Sequence, residues 1–341
     1  RQTCPRRTRQ ARTAAHHPQH ALLCGQRSPF FLQVREAHLD ELVRVPLLAT
    51  IAAIVFRQQG DRPLPDNQYE LYEAYLAYLK SARTSTSPFE QHGDALLEHL
   101  GRTRLETDDS LAGAAHDWVR AHLGVGARRD DPVAFLASVG PLVRHDDELR
   151  FLHHSFAEHL AATARARLLP ERFSADHDEF AHLLHAARPE ERGEHARTVL
   201  LHYTRLRPDQ ADALLGSLHA GDAEQHLLAA RLLARRAPAS RRFLDGFLAT
   251  ARDWAVTTRS PALAIVAQAS RATHHPGLVD WLTGLVRAGQ APWTSRVEAA
   301  TALATRLRGP HSVAAVAFLR DLVDDPDAAV DQRLGRVLKA R

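Results

Sequence analysis

The segment "LVRHDDELRFLHHSFAEHLAA", residues 142–162, carries the pattern that decides the fold. Leu149, Phe151 and His153 alternate with Arg150 and Leu152, which is the period-two pattern of a strand. The acidic group at 145–148 suits a turn, so the segment predicts a short β-hairpin. Ser155 and Glu158 have the spacing of a capping box, and the alanines that follow favour a helix. The pattern therefore predicts a hairpin, a cap at Ser155 and a helix, with His153 as the last residue of the second strand.

Position alone gives His153 two interpretations. It is either an ordinary strand-end histidine that bonds a neighbouring carbonyl, or a ligand contact beside a helix start. The N-terminus of a helix carries partial positive charge and unpaired N–H groups, which makes it a natural place for a phosphate.

The residues before the hairpin are expected to be helical. Periodic apolar positions predict helices at 93–105, 111–123 and 132–139, and helices followed by a hairpin indicate a winged-helix domain over 89–168. Further upstream, helices are predicted at 34–44, from Pro46 onward and at 67–82, with Asp66 as the cap of the last. These three helices define a helical domain over 34–88.

The residues after the hairpin predict helices only. The segments "LLAARLLAR", "PALAIVAQASR" and "VEAATALATR" recur about every 35 residues, which indicates an α-solenoid of HEAT-like helix pairs over 169–341. Asp325, Pro326 and Val330 resemble the HEAT pattern of Asp-Pro followed by a Val-led helix. We expect the tryptophans of this region to pack between helices: Trp254, Trp281 and Trp293. The predicted fold class is mainly α with one β-hairpin.

Composition and charge limit the class of protein to which the chain can belong and its expected location. It has 341 residues, 45% of them hydrophobic, and no apolar run that would cross a membrane. Two cysteines near one end predict a reducing, cytoplasmic location, and the lack of any Met suggests a fragment. The net charge is +4, but residues 1–28 contain six arginines and no acid, so the remainder is −2. Residues 1–33 are expected to be a basic, disordered tail.

Two blocks of the sequence resemble a known family. "VPLLATIAAIVFRQQGDRPLPDNQYELYEAYLAYL" (45–79) is similar to the helical domain that follows the nucleotide-binding core of NACHT-type signalling NTPases of the STAND class. The segment at 142–162 resembles the end of their winged-helix domain. The blocks occur in the family's order and spacing, over roughly residues 34–167.

The resemblance implies a nucleotide-driven switch with an ADP-bound resting state and an ATP-bound homo-oligomer, in bacterial defence or signalling. Pro46 matches the proline that begins the helix beside the adenine. His153 matches the histidine that contacts the β-phosphate of ADP. The chain departs from the family at Ala157, Glu158 and His159, where Gln-Glu-Phe or Gln-Glu-Tyr is common.

The chain lacks the catalytic half of such a protein. A phosphate loop needs a glycine-rich turn followed by Lys and Ser or Thr, and the two lysines, Lys80 and Lys339, follow no glycine. We therefore expect no enzymatic activity and no cofactor in this chain alone. The complete protein is expected to be an ATPase that binds ADP or ATP through an upstream core. A protein ligand is expected on the helical repeats. The alternative is a free-standing α-solenoid scaffold without a nucleotide role.

Two other kinds of site are weaker interpretations. His154, Glu158 and His159 could be metal ligands, but only His154 and Glu158 share a helix face, and zinc needs three or four ligands. His182, His185 and His195 offer a similarly incomplete set with no cysteine nearby, so no metal is expected. A winged helix could also bind DNA. Its candidate recognition helix at 111–123 carries Arg120 opposed by Asp117, and the hairpin turn is acidic, so no direct nucleic-acid binding is expected from the folded part.

Overall fold

Fifteen α-helices and one two-stranded sheet make up the part of the chain that the structure describes. The computed structural model describes residues 29–37, 39, 42–60, 62–81, 89–123, 131–188, 193–255, 277–289, 291–306 and 310–324. The basic segment 1–28, the predicted helix at 261–271 and the predicted HEAT motif at 325–330 lie outside these residues. The expected mainly helical class with one hairpin is confirmed.

The first seven helices and the hairpin occupy the described residues up to Leu168. Their bounds are α1 Pro29–Glu36, α2 Pro46–Gln59, α3 Gln68–Ser81, α4 Gly93–Glu106, α5 Leu111–His122, α6 Pro132–Val139, β1 Leu142–His145, β2 Glu148–Phe151 and α7 His154–Leu168. The strands are antiparallel, with Leu142 opposite Phe151 and His145 opposite Glu148. The predicted helices from α4 to α6 and the predicted hairpin are confirmed.

In the part of the chain that the structure describes, eight more helices follow α7. Their bounds are α8 Asp178–Ala187, α9 Glu194–Leu206, α10 Ala211–His219, α11 Ala223–Ala234, α12 Arg241–Ala255, α13 Leu278–Arg287, α14 Trp293–Arg306 and α15 Pro310–Asp324. Short 3-10 turns lie at Leu42–Arg44, Glu90–His92 and Pro208–Gln210. None of the described helices has the length and apolar composition needed to cross a bilayer.

Helix starts and stops in the first part of the chain differ in detail from the sequence prediction. The predicted helix over 34–44 is wrong, because α1 ends at Glu36 and the chain turns so that Leu39 N–H donates to the Val34 carbonyl. Pro46 does begin α2, and Gly60 ends it at a φ of 60° and a ψ of −117°, a backbone conformation essentially restricted to glycine.

The cap of α3 is Asn67, whose side-chain oxygen accepts from Glu70 N–H over 2.9 Å. Asp66, the predicted cap, lies one residue before Asn67 and accepts from its side-chain amide over 2.7 Å.

Contacts divide the described residues into two compact units, one up to Leu71 and one from Tyr72 onward, so the division falls inside α3. In the first unit the ring of Phe30 meets Phe56 edge-on at 5.5 Å. Leu64 N–H donates to the Gln33 side chain over 3.1 Å, which ties the chain after α2 back to α1.

The described residues of the second unit form two hydrophobic cores. The first, here called the hairpin core, joins the end of α3, helices α4 to α6, the sheet and α7. The second, called the repeat core, runs from α7 to α15. Members of the hairpin core include Leu76, Leu96, Leu100, Val119, Leu136, Leu149 and Leu160. Members of the repeat core include Ala162, Phe180, Tyr203, Leu228, Phe247, Leu282 and Leu303.

Helix α7 contributes to both cores and packs most closely against α4 and α9. Its buried residues lie around most of the helix, and five of them are alanines: Ala157, Ala161, Ala162, Ala164 and Ala166. Opposite them, Gly101 of α4 lies so near that an added Cβ would meet Leu160 Cβ at 2.9 Å and the Ala157 carbonyl oxygen at 3.0 Å. Small side chains on both helices therefore permit this approach.

Replacing the glycine at this contact tests it. Gly101→Ala should destabilise the protein by about 1–3 kcal/mol, because α4 and α7 must separate to admit the methyl group. Gly246→Ala is the matched control, since Gly246 lies in α12 with no atom within 4 Å of an added Cβ. The control should stabilise the protein by about 0.5–1 kcal/mol through helix propensity. Urea midpoints measure both changes, and equal effects at the two positions would contradict the close approach.

Candidate functional site

His153 is the N-cap of α7. Its backbone is extended, at a φ of −153° and a ψ of 145°, and its imidazole Nδ1 accepts from Ser155 N–H over 3.2 Å. The predicted cap at Ser155 is therefore wrong, as is the prediction that His153 ends the strand, which stops at Phe151. An imidazole nitrogen here takes the role that a hydroxyl oxygen usually has. The His153 side chain itself is exposed.

The Ser155 hydroxyl connects His153 to a buried residue of α3. Ser155 Oγ lies 2.6 Å from His153 Nδ1 and 2.6 Å from the hydroxyl of Tyr72. Tyr72 is only 2% exposed, and its ring packs on Phe156 with centroids 4.7 Å apart. The exposed imidazole is thus the outer end of a hydrogen-bonded chain that begins in the interior.

A second polar group lies one turn further along α7. His159, 4% exposed, donates from Nε2 to Glu73 Oε1 over 2.8 Å. This hydrogen bond, more than the opposing effect of burial, holds the pKa of the Glu73 carboxyl below its usual value. Glu73 and Tyr72 are neighbours on α3, so consecutive residues of that helix bind α7 at two points.

The same group extends into α9. The Thr163 hydroxyl donates to the His159 carbonyl over 2.9 Å, which leaves its oxygen to accept from His202 Nδ1 at 2.8 Å. The rings of His159 and His202 meet edge-on at 4.7 Å. Burial lowers the pKa of His202 well below its ordinary value, with a smaller contribution from the neighbouring His159. His202 is therefore neutral at physiological pH.

Pro46 lies at the first position of α2, as predicted, and its carbonyl accepts from the Thr50 hydroxyl over 2.9 Å. Its side chain is exposed. Pro46 belongs to the unit that ends at Leu71, and His153 belongs to the unit that starts at Tyr72.

The candidate metal ligands do not converge in the described part of the chain. His154 Nε2 lies 3.3 Å from Glu158 Oε1 on the exposed side of α7, whereas His159 is turned to Glu73 in the interior. His182, His185 and His195 have exposed side chains on α8 and α9. No group of three or more His, Cys, Asp or Glu that could hold a metal ion occurs among the described residues.

The charged side chains of the hairpin and of α5 mostly bond to groups within these same elements. Arg120 forms an ion pair with Asp117, and Arg144 of β1 donates to the Asp146 carbonyl over 3.0 Å. Glu148 accepts from Ala112 N–H at the start of α5 over 3.1 Å. Burial acts to raise the pKa of Glu148, but hydrogen bonds from Ser110 and from backbone N–H groups outweigh it, and the pKa is lowered.

The repeat core contains a histidine pair that sequence reasoning did not single out. His226 is fully buried on α11, and its ring is stacked between Phe247 at 4.9 Å and Trp254 at 4.7 Å. Its Nδ1 lies 3.1 Å from that of His219, while its Nε2 has no hydrogen-bond partner in the described structure. Burial first, and then the charge of His219, lower the pKa of His226 to about 4.

The tryptophans fit the expectation of packing where the structure describes them. Trp281 is 6% exposed and donates from Nε1 to the Leu248 carbonyl over 2.7 Å. Trp254 is half-buried against His226. The side chain of Trp293 lies outside the described part.

Sequence reasoning found His153 but missed its supporting residues. In the sequence Tyr72 is only an aromatic residue of the predicted helix at 67–82, and nothing local shows that its hydroxyl reaches Ser155. Glu73 gave no signal, because its partner His159 is 86 positions away. The one available signal was His159 itself, a histidine on an otherwise alanine-rich helix face, which needs a polar partner if it is buried.

No family model, curated protein or solved structure matches the chain.

The buried histidine of the repeat core predicts acid sensitivity. Because the pKa of His226 is about 4 in the folded chain and 6.5 for an ordinary solvated histidine, the unfolded chain binds more protons between these values. Stability should therefore fall as the pH is lowered through that window, by roughly 3 kcal/mol for this group. His226→Phe keeps the ring stack and should flatten the dependence of the urea midpoint on pH.

His182→Phe, on the exposed side of α8, is the control and should leave the dependence unchanged. Other buried histidines contribute in both proteins, so the difference between wild type and variant is the quantity to compare. The same slope for wild type and His226→Phe would show that His226 does not titrate in this way.

Proposed function

We propose that this chain is the regulatory and sensor portion of a NACHT-type nucleotide-switched signalling protein. In this proposal the upstream nucleotide-binding core supplies the phosphate loop, and residues 34–88 and 89–168 are its helical and winged-helix domains. The repeats over 169–341 present a HEAT-like solenoid surface to a protein ligand. The setting is cytoplasmic, in bacterial defence or signalling, and activation leads to a homo-oligomer.

The observation that carries the proposal is the state of the His153 imidazole. Its Nδ1 accepts from Ser155, so the neutral ring carries its hydrogen on Nε2, and Nε2 has no hydrogen-bond partner among the described residues. An exposed N–H donor at the N-cap of a fifteen-residue helix is well suited to a phosphate oxygen. The resemblance assigns the β-phosphate contact of ADP to this position.

Pro46 supports the proposal in a more limited way. It begins α2 and is exposed, which is compatible with the family's adenine contact. Its role as a nucleotide contact comes wholly from the resemblance. The ADP and ATP of the complete protein would be bound mainly by the upstream core.

The charge distribution favours a protein partner over nucleic acid. The candidate recognition helix α5 offers Arg120 already paired with Asp117, and the hairpin turn presents the exposed carboxylates of Asp146 and Asp147. Phosphate neutralisation dominates DNA affinity, and these carboxylates would repel a phosphate backbone.

A free-standing scaffold is the second candidate. Among the described residues, the repeat core extends from Ala162 to Ala315 and is built of apolar side chains. A phosphate loop encoded directly upstream of this chain would favour the switch, and its absence there would favour the scaffold.

Catalysis provides the first test of the proposal. Purified residues 1–341 should show no ATP turnover above a mock preparation, because the sequence offers no phosphate loop. Release of phosphate from ATP, followed across successive columns, is the measurement. Activity that co-elutes with the protein would contradict the assignment.

The second test uses adjacent histidines. In the complete protein, with its nucleotide-binding core, His153→Ala should lower the amount of co-purified ADP and shift the population toward the oligomer, since a contact of the resting state is lost. His154→Ala is the matched control, because His154 is also exposed but faces Glu158. Bound nucleotide and particle size are measured for both variants. An ADP content that is equal in wild type and His153→Ala would remove the basis of the proposal.

A further inference from the structure

A hydrogen-bonded chain of three residues reaches from the interior of the second unit to the exposed His153 imidazole. It runs from the Tyr72 hydroxyl to Ser155 Oγ and from there to His153 Nδ1, with both distances at 2.6 Å. The inner end is buried and the outer end is exposed. The resemblance to the family assigns no role to Tyr72 or Ser155.

The direction of this chain follows from the backbone. Ser155 N–H can only donate, and it donates to Nδ1, so Nδ1 acts as an acceptor. The Ser155 hydroxyl at 2.6 Å must then also donate to Nδ1, and its oxygen accepts from the Tyr72 hydroxyl. The two donors define one tautomer, with the ring hydrogen on Nε2, and one orientation of the ring.

The inner end of the chain is held firmly. The Tyr72 ring packs on Phe156 at 4.7 Å and meets His159 edge-on at 5.3 Å. The next residue, Glu73, accepts from His159 over 2.8 Å. Helix α3 is therefore bound to the first two turns of α7, and the Tyr72 hydroxyl has little freedom to move from Ser155.

A His153 ring that is held in this way is preorganised to bind an anion. A surface histidine normally loses rotational freedom when it binds a ligand, and fixing its orientation beforehand lowers that cost. The hydrogen on Nε2 gives a directed donor for a phosphate oxygen.

We propose that Tyr72 and Ser155 are positioning residues that fix the tautomer and orientation of His153 for a phosphate group. The inference rests on the proposed function for its ligand. The positioning itself is a property of this chain and can be measured without nucleotide.

Acylation of His153 by diethyl pyrocarbonate tests the positioning in residues 1–341. The imidazole nitrogen that carries the lone pair, which is Nδ1 here, attacks a carbonyl carbon of the reagent and displaces ethyl carbonate, and Nδ1 is engaged by Ser155. Ser155→Ala should raise the rate at His153, and Tyr72→Phe should raise it by about twofold to tenfold, the range that loss of one hydrogen bond supports. Peptide fragmentation separates His153 from His154, whose rate serves as the internal reference.

Two further variants separate positioning from general loosening. Ser155→Thr keeps the hydroxyl and should restore the slow rate, while Tyr78→Phe makes the same change elsewhere on α3 and should have no effect. Rates at His153 that are unchanged in both Ser155→Ala and Tyr72→Phe would overturn the inference. A rise at His153 in Tyr78→Phe of the same size would also overturn it.

Nucleotide binding in the complete protein gives the second readout. Tyr72→Phe should lower co-purified ADP, and adding it to His153→Ala should cause no further loss, because both changes remove one interaction. Faster acylation in Tyr72→Phe with ADP content unaffected by His153→Ala would overturn the proposed function and leave the positioning intact. Further ADP loss in the double variant would overturn the claim that Tyr72 acts through His153.

Discussion

The close packing of α7 between α4 and α9 is the constraint on which the rest of the second unit depends. Alanines along α7 and Gly101 on α4 bring the helix axes together. Leu160 faces the hairpin core, whereas Ala162 and Ala166 belong to the repeat core. Because a single helix supplies part of both cores, the position of α9 is fixed relative to the hairpin by rigid side-chain contacts.

A helix buried on most of its surface must find partners for every polar group that it carries, since an unpaired buried group is costly. His159 and Thr163 meet this requirement through Glu73 on α3 and His202 on α9. These partners can be reached only in one register of the three helices. The polar group therefore specifies how α3, α7 and α9 align, which apolar contacts between alanines would leave less well defined.

The parts of the structure that the sequence predicted correctly are those determined by residues close together in the sequence. The hairpin turn at Asp146 and Asp147 and the helices around it follow from local periodicity and turn residues. The choice of cap for α7 was wrong for a non-local reason. The Ser155 hydroxyl forms a hydrogen bond with Tyr72, which lies 83 positions earlier in the sequence, and His153 is the N-cap of α7.

The same difference between local and non-local contacts applies to His153 and to the residues that hold it in place. His153 could be found because it stands at the junction of a predicted strand and a predicted helix. Its tautomer could not be predicted, because that depends on contacts between α3 and α7 that no periodic pattern contains. The break after α1 is similar, since Leu39 is fully buried in a turn that interrupts an apparently continuous helical pattern.

The dual role of α7 has a consequence for how such a chain could diversify. Suppose that recombination exchanged the array of helices after α7 between proteins. A junction after Leu168 would then look convenient in the sequence. A new array joined there would have to offer a surface that fits small alanine side chains and a polar partner for Thr163. Recombination is therefore expected to preserve α8 and α9 together with α7 and to vary the helices beyond them.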